Sequence, residues 1–123
     1  MKKLYLVSLL VFGLCIVGYA DLVEEAQFKQ YVELTKNSKA NPEGMTVCAD
    51  YTYRIIYATM PTAINSSDVT PQFLKTMKNE ILKGITSEKA DCKIIKDLKI
   101  SIVYTFITSD KKIFTLSFSY QDI

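Results

Sequence analysis

The sequence predicts an α+β domain: an antiparallel sheet of about three strands, ending in a C-terminal hairpin, covered on one side by two amphipathic helices. Three observations carry that expectation. Residues 100–120 alternate apolar and polar side chains on either side of a polar turn, residues 71–85 repeat apolar side chains at helical spacing, and residues 22–34 repeat them less regularly behind an acidic start.

The elements follow in chain order. Asp21 and Glu24 have the spacing of a capping box, and Leu22, Val23, Ala26, Tyr31, Val32 and Leu34 then recur with helical spacing toward Asn37. Glu24 and Glu25 in the first turn and Lys36 and Lys39 near the end suit the helix dipole. Asn41-Pro42-Glu43-Gly44 is turn chemistry. From Met45 to Tyr57 the odd positions are Met45, Val47, Ala49, Tyr51, Tyr53, Ile55 and Tyr57, an alternation that predicts one long half-buried strand. Val47, Tyr51 and Ile55 also fall four apart, which leaves a helix ending before Pro61 as the alternative for residues 45–60. Thr62–Val69 is polar and turn-like. Thr70-Pro71 predicts a helix start, a hydroxyl cap followed by a proline at the first helical position, and Phe73, Leu74, Met77, Ile81, Leu82 and Ile85 form its apolar stripe. A shorter helical piece is expected over Ser87–Lys96. Ile100, Ile102, Tyr104 and Phe106, then Phe114, Leu116, Phe118 and Tyr120, alternate around the turn Ser109-Asp110-Lys111-Lys112.

Residues 1–20 have the anatomy of a signal peptide. Lys2 and Lys3 precede 17 uncharged residues, and Gly18 and Ala20 supply small side chains at the −3 and −1 positions, predicting cleavage between Ala20 and Asp21. An uncleaved anchor is the alternative, countered by Gly13, Gly18 and the lack of a basic stop after the run. Lipidation at Cys15 is disfavoured by Leu14 before it. The expectation is therefore a periplasmic or secreted protein of bacterial origin, with residues 21–123 forming a single small globular domain.

Without residues 1–20 the chain carries 13 Lys and Arg against 13 Asp and Glu, so its net charge is about zero. That balance gives no electrostatic case for nucleic acid, nor for a membrane surface once the signal is removed. Lys75, Lys78, Lys83, Lys89, Lys93, Lys96 and Lys99 read as a solvated face. Cys48 and Cys92 remain, and an even count in an oxidising compartment predicts one disulfide, worth about 4 kcal/mol on the chain-entropy model.

Several chemistries lose a required residue. The chain has no histidine, which removes the common general base, the histidine-containing triads and the usual metal-ligand sets. Only Gly44 and Gly84 follow residue 20, too few for a phosphate-binding loop. No metal, cofactor or catalytic residue is assigned. The carboxylate pairs Glu24 with Glu25 and Glu88 with Asp91 read as solvated charges. Asn65-Ser66-Ser67 has the form of a glycosylation sequon, without meaning in a bacterial export route. Tyr51, Tyr53 and Tyr57 form a possible partner surface wherever they face solvent, although core packing is the competing expectation.

Met60-Pro61, the helix from Pro71, and the run of Cys92, Ile94-Ile95, a Lys99–Phe106 strand and a closing strand resemble small exported bacterial proteins of uncharacterised function. The resemblance implies an α+β fold and no activity. Where it implies a further cysteine near the end this chain has Ser119 and Tyr120, which leaves Cys48 as the partner of Cys92. The functional expectation is a non-enzymatic protein-binding or accessory factor, such as an inhibitor, an immunity-type protein or part of a secretion system. The alternatives are a carrier of a small apolar ligand and a small hydrolase without histidine. A filled core beside an exposed apolar patch favours partner binding over both.

Overall fold

A computed structural model describes residues 20–39 and 41–123, with side chains from Glu24 onward. Residues 1–19 of the expected signal peptide, with Cys15, lie outside that description, whereas Ala20 and Asp21 of the expected cleavage position begin the first helix. The elements are α1 (Ala20–Lys36), β1 (Thr46–Asp50), β2 (Ile55–Pro61), α2 (Pro71–Thr86), α3 (Lys89–Asp97), β3 (Ser101–Ile107) and β4 (Ile113–Phe118). They form an α+β architecture with a four-stranded mixed sheet in the order β1-β2-β3-β4.

The sheet differs from the expected antiparallel one in number and direction of strands. Residues 45–57 are not one strand, because Asp50 stops β1 and starts a tight turn. Its Oδ1 accepts the N–H groups of Thr52 and Tyr53 at 2.9 and 3.0 Å, the side-chain mimicry of a backbone turn at which aspartate excels. Arg54 then reverses the chain at φ 54°. β2 returns antiparallel to β1, with Asp50 opposite Ile55 and Cys48 opposite Tyr57. The reversal also changes which residues face the core: Val47 is buried on β1, but on β2 the even positions Ile56, Ala58 and Met60 are buried. Ile55 and Tyr57, expected on the face of Val47, lie on the opposite one. β3 pairs with β2 in parallel, from Ile55 opposite Ser101 to Pro61 opposite Ile107, and β4 closes the C-terminal hairpin antiparallel to β3.

All three helices cover one face. α2 begins as expected, with the Thr70 hydroxyl accepting the Phe73 N–H at 3.1 Å and proline at the first turn. Its Met77, Ile81 and Ile85 are buried with Ile95 of the third helix, Leu98 just after it, and Phe28, Tyr31 and Val32 from the first. These meet Ile102, Tyr104, Phe106, Leu116 and Phe118 of the hairpin in one continuous core. Burying a large apolar side chain contributes about 1.5–3 kcal/mol, so every element that sends such side chains into this core adds to stability.

One polar pair is sealed inside that core. The Tyr31 hydroxyl donates to Asp91 Oδ1 at 2.7 Å with both side chains fully buried. Asp91 is therefore not the solvated carboxylate that its sequence position suggests. Lying in the first turn of α3, its charge is favoured by the helix dipole while it ties α1 to that helix. Burial, with the Asp91 charge behind it, pushes the Tyr31 hydroxyl well above the usual tyrosine range, so it stays a proton donor.

The expected Cys48–Cys92 bridge is absent. Cys48 is exposed on β1 and points away from the helices, since its neighbour Val47 points toward them, whereas Cys92 sits on α3 with its thiol donating to the Ile85 carbonyl at 3.3 Å. The sheet lies between the two thiols, and a disulfide requires α-carbons within about 7 Å and facing β-carbons.

Two local features are open to direct test. α3 ends with Lys99 at φ 55°, its successor Ile100 donating back to Ile95 at 2.9 Å, a helix stop that favours glycine. Lys99→Gly is expected to stabilise the protein by about 1 kcal/mol in denaturant unfolding, by removing the left-handed penalty of a side chain. At the β3–β4 turn the carboxylate of Asp110 accepts the Ser66 N–H at 3.0 Å and also the Ser66 hydroxyl. Those bonds, with one from Thr108, hold its pKa well below the usual carboxylate range. A depressed carboxylate stabilises the fold above its unfolded value and loses that contribution as pH falls toward the folded one. The stability difference between wild type and Asp110→Asn should therefore be constant above about pH 5 and shrink below pH 4.

Candidate functional site

The face of the sheet opposite the helices has no described element over it. Its outward rows follow from the register. Asp50, Ile55 and Ser101 lie nearest the β1–β2 turn, followed by Cys48, Tyr57, Val103 and Ser117. Thr46, Thr59, Thr105 and Thr115 form the next row across all four strands, and Pro61, Ile107 and Ile113 the last. Asp50 is the only charged residue among these outward positions. The surface is therefore an uncharged sheet of hydroxyls and β-branched side chains, with Ile113 at its edge 67% exposed.

At one end of this face stands the β1–β2 turn. Tyr53, at its apex, is 74% exposed, and Tyr51 is 44% exposed with its ring set edge-on against Phe28 of α1 at 5.6 Å. The turn is held from both sides. Asp50 fixes its first half from within, and the Arg54 guanidinium anchors its second half, donating to Glu24 of α1 and to the Leu98 carbonyl at the end of α3, each at 3.0 Å. A large amphipathic ring is thus presented on a backbone that is already ordered, so little further entropy is lost when a partner covers it.

The three tyrosines expected to act together are divided by this geometry. Tyr53 is at the apex, Tyr51 leans toward α1, and Tyr57 is half-buried on the outer face between Cys48 and Val103. Tyr53 and Tyr57 adjoin the open face, while Tyr51 is partly a packing residue. Arg54 and Asp50, which set the position of the tip, were not singled out in the sequence; an aspartate two and three residues ahead of exposed N–H groups is the signal for the turn.

Several other polar groups make local structural bonds. Glu25 pairs with Lys29 at 3.5 Å and Lys93 with Asp97 at 2.7 Å, both exposed helix pairs. Asn65 caps a short 3-10 turn by accepting from the Ser67 N–H and hydroxyl at 2.9 and 2.7 Å. Burial pushes the Cys92 thiol up from its ordinary pKa, which keeps it a thiol. Among the described residues no group of three His, Cys, Asp or Glu could hold a metal ion, and no helix is long and apolar enough to cross a membrane. Between sheet and helices, a cavity of about 10 Å³ is lined by Met45, Met60, Met77, Ile81 and Leu116, room for about one water molecule.

Removing the internal anchor of the tip tests its rigidity. Asp50→Ala takes the acceptor from two N–H groups, and is expected to cost about 1 kcal/mol in unfolding free energy and to speed amide exchange at Thr52 and Tyr53. No family model, curated protein or solved structure matches the chain.

Proposed function

We propose that the protein is an exported, non-enzymatic binding module, periplasmic or secreted, which engages another protein through the Tyr53 tip and the adjoining outer face of its sheet. The observation that carries this reading is the contrast between the two faces. One is filled by helices down to a cavity of about 10 Å³, while the other is uncovered, uncharged apart from Asp50, and headed by a pre-ordered tyrosine. Tyrosine on a rigid support is among the side chains enriched as anchors of protein interfaces, since it brings large area at low entropic cost. The small cavity weighs against the carrier of an apolar ligand, which needs about 300 Å³ or more. The export part of the proposal rests on residues 1–20 of the sequence.

Two measurements test it. The intact mass of the protein recovered outside the cytoplasm is expected to begin at Asp21. A photo-crosslinking side chain in place of Tyr53, in producing cells, is expected to give a discrete protein adduct that the same group in place of Lys83, exposed on α2, does not give. Tyr53→Ala should then weaken binding of the purified partner about thirtyfold, the loss of a central aromatic anchor. Adducts that are identical from the two positions, or none from position 53, would remove the basis for a tyrosine-led interface.

A further inference from the structure

Among the described residues, the far edge of β4 lacks the devices that keep edge strands apart. Folded proteins protect such edges with lysine, proline, a bulge or a covering element. Ile113–Phe118 reads IFTLSF, without charge, proline or glycine, and β4 is the last strand of the sheet. The opposite edge, β1, lies against α1 and ends in Asp50.

The hairpin geometry identifies which backbone groups line that edge. The Thr108 N–H donates to the Lys112 carbonyl and the Lys111 N–H to the Thr108 carbonyl, both at 2.9 Å, with Lys111 at φ 68°. Thr108 and Lys112 are therefore a hydrogen-bonded pair, and alternation along an antiparallel ladder assigns the next such pairs to Phe114, Leu116 and Phe118. The N–H and C=O groups of Ile113, Thr115 and Ser117 point the other way, out of the sheet edge. The side chains of these same three residues lie on the uncovered outer face, each of them exposed.

We infer that the protein pairs with a second copy of itself through β4, antiparallel and centred on Thr115. In that register Thr115 meets Thr115 of the second copy and Ile113 meets Ser117 in both directions, forming about six N–H···O bonds across a two-fold axis. The threonine row of the outer face continues unbroken from one copy into the next. Charge selects the direction. Antiparallel pairing sets Lys111 and Lys112 of one copy beside Ser119–Asp122 of the other, where Asp122 is acidic and exposed, whereas parallel pairing sets lysines against lysines. Lys78 stands over the Phe118 ring at 5.6 Å on the helix face, beneath this pairing. Six residues of edge bury less than a standard interface, so the dimer is weak and concentration-dependent. The inference does not rest on the proposed partner surface, whose tyrosine tip belongs to the β1–β2 turn.

Sedimentation equilibrium of the whole protein from about 1 μM to about 1 mM tests it, the upper limit corresponding to about −4 kcal/mol of association. Wild type is expected to move from the mass of one chain toward twice that mass. Because Thr115 sits on the two-fold axis, Thr115→Lys and Thr115→Glu each place like charges opposite one another, and each alone should weaken the dimer tenfold or more. An equimolar mixture of the two should return to within about threefold of wild type, since unlike charges then face across the axis. Thr115→Pro, which removes an outward N–H and no bond to β3, should also be monomeric while its circular dichroism and melting curve stay cooperative. A wild type that keeps the mass of one chain at every concentration overturns the inference. So does a dimer that the Lys, Glu and Pro variants leave unchanged, or one that the mixture fails to restore.

Discussion

Two neighbouring strands that run in the same direction cannot be joined by a tight turn, and β2 and β3 run in the same direction. The chain must leave the end of β2, travel back along the sheet and re-enter beside its own starting point. α2 and α3 make that return journey on the helix face, so their apolar stripes meet the inward residues of the sheet. α1 completes the layer, and the buried Tyr31–Asp91 bond joins it to α3 across the top of the core. Among the described residues the other face stays uncovered for the same reason, since every described α-helix has been committed to one side.

The α+β class was readable from the sequence, and so were α2 and the C-terminal hairpin, because each combines a strong boundary signal with an unambiguous period; α3 was read only as a shorter helical piece over Ser87–Lys96, and its N-cap Glu88 makes no capping bond. Thr70-Pro71 starts a helix regardless of what surrounds it, and Ser109–Lys112 interrupts an alternation that resumes immediately afterwards. The sheet order was not readable. The apolar alternation over residues 45–57 continues straight through the turn, because Tyr51 and Tyr53 keep its rhythm while standing partly in solvent. Only Asp50 marks the break, and its hydrogen bonds are a matter of three-dimensional approach. Missing that hairpin removed one strand, hid the parallel pairing, and placed Ile55 and Tyr57 on the wrong face. The cysteine reading failed for a related reason: parity along β1 decides that Cys48 faces outward, and a count of thiols carries no information about faces. Of the proposed surface, the exposed tyrosines were anticipated by residue type, whereas the Arg54 anchor depends on contacts with Glu24 and Leu98 that are distant in sequence.

The outer face shows how strand propensity and solvent exposure are reconciled. Threonine, valine and isoleucine favour extended backbone, and threonine does so while offering a hydroxyl to water. Four threonines in one row keep the sheet regular where no helix supports it. The same choice leaves the face almost without charge, so association there draws little help from long-range steering and depends on fit at short range.

The Tyr31–Asp91 bond spans 60 residues, and the parallel ladder joins Ile55 to Ser101. Neither contact exists until the second half of the chain has been made. Helix α1 and the first hairpin can meet early in synthesis through Phe28–Tyr51 and Glu24–Arg54, but their contacts with α3 and β3 must wait for a long loop to close. The last strands thus complete the core, and the buried bond between α1 and α3 is one of the contacts that only the nearly finished chain can make.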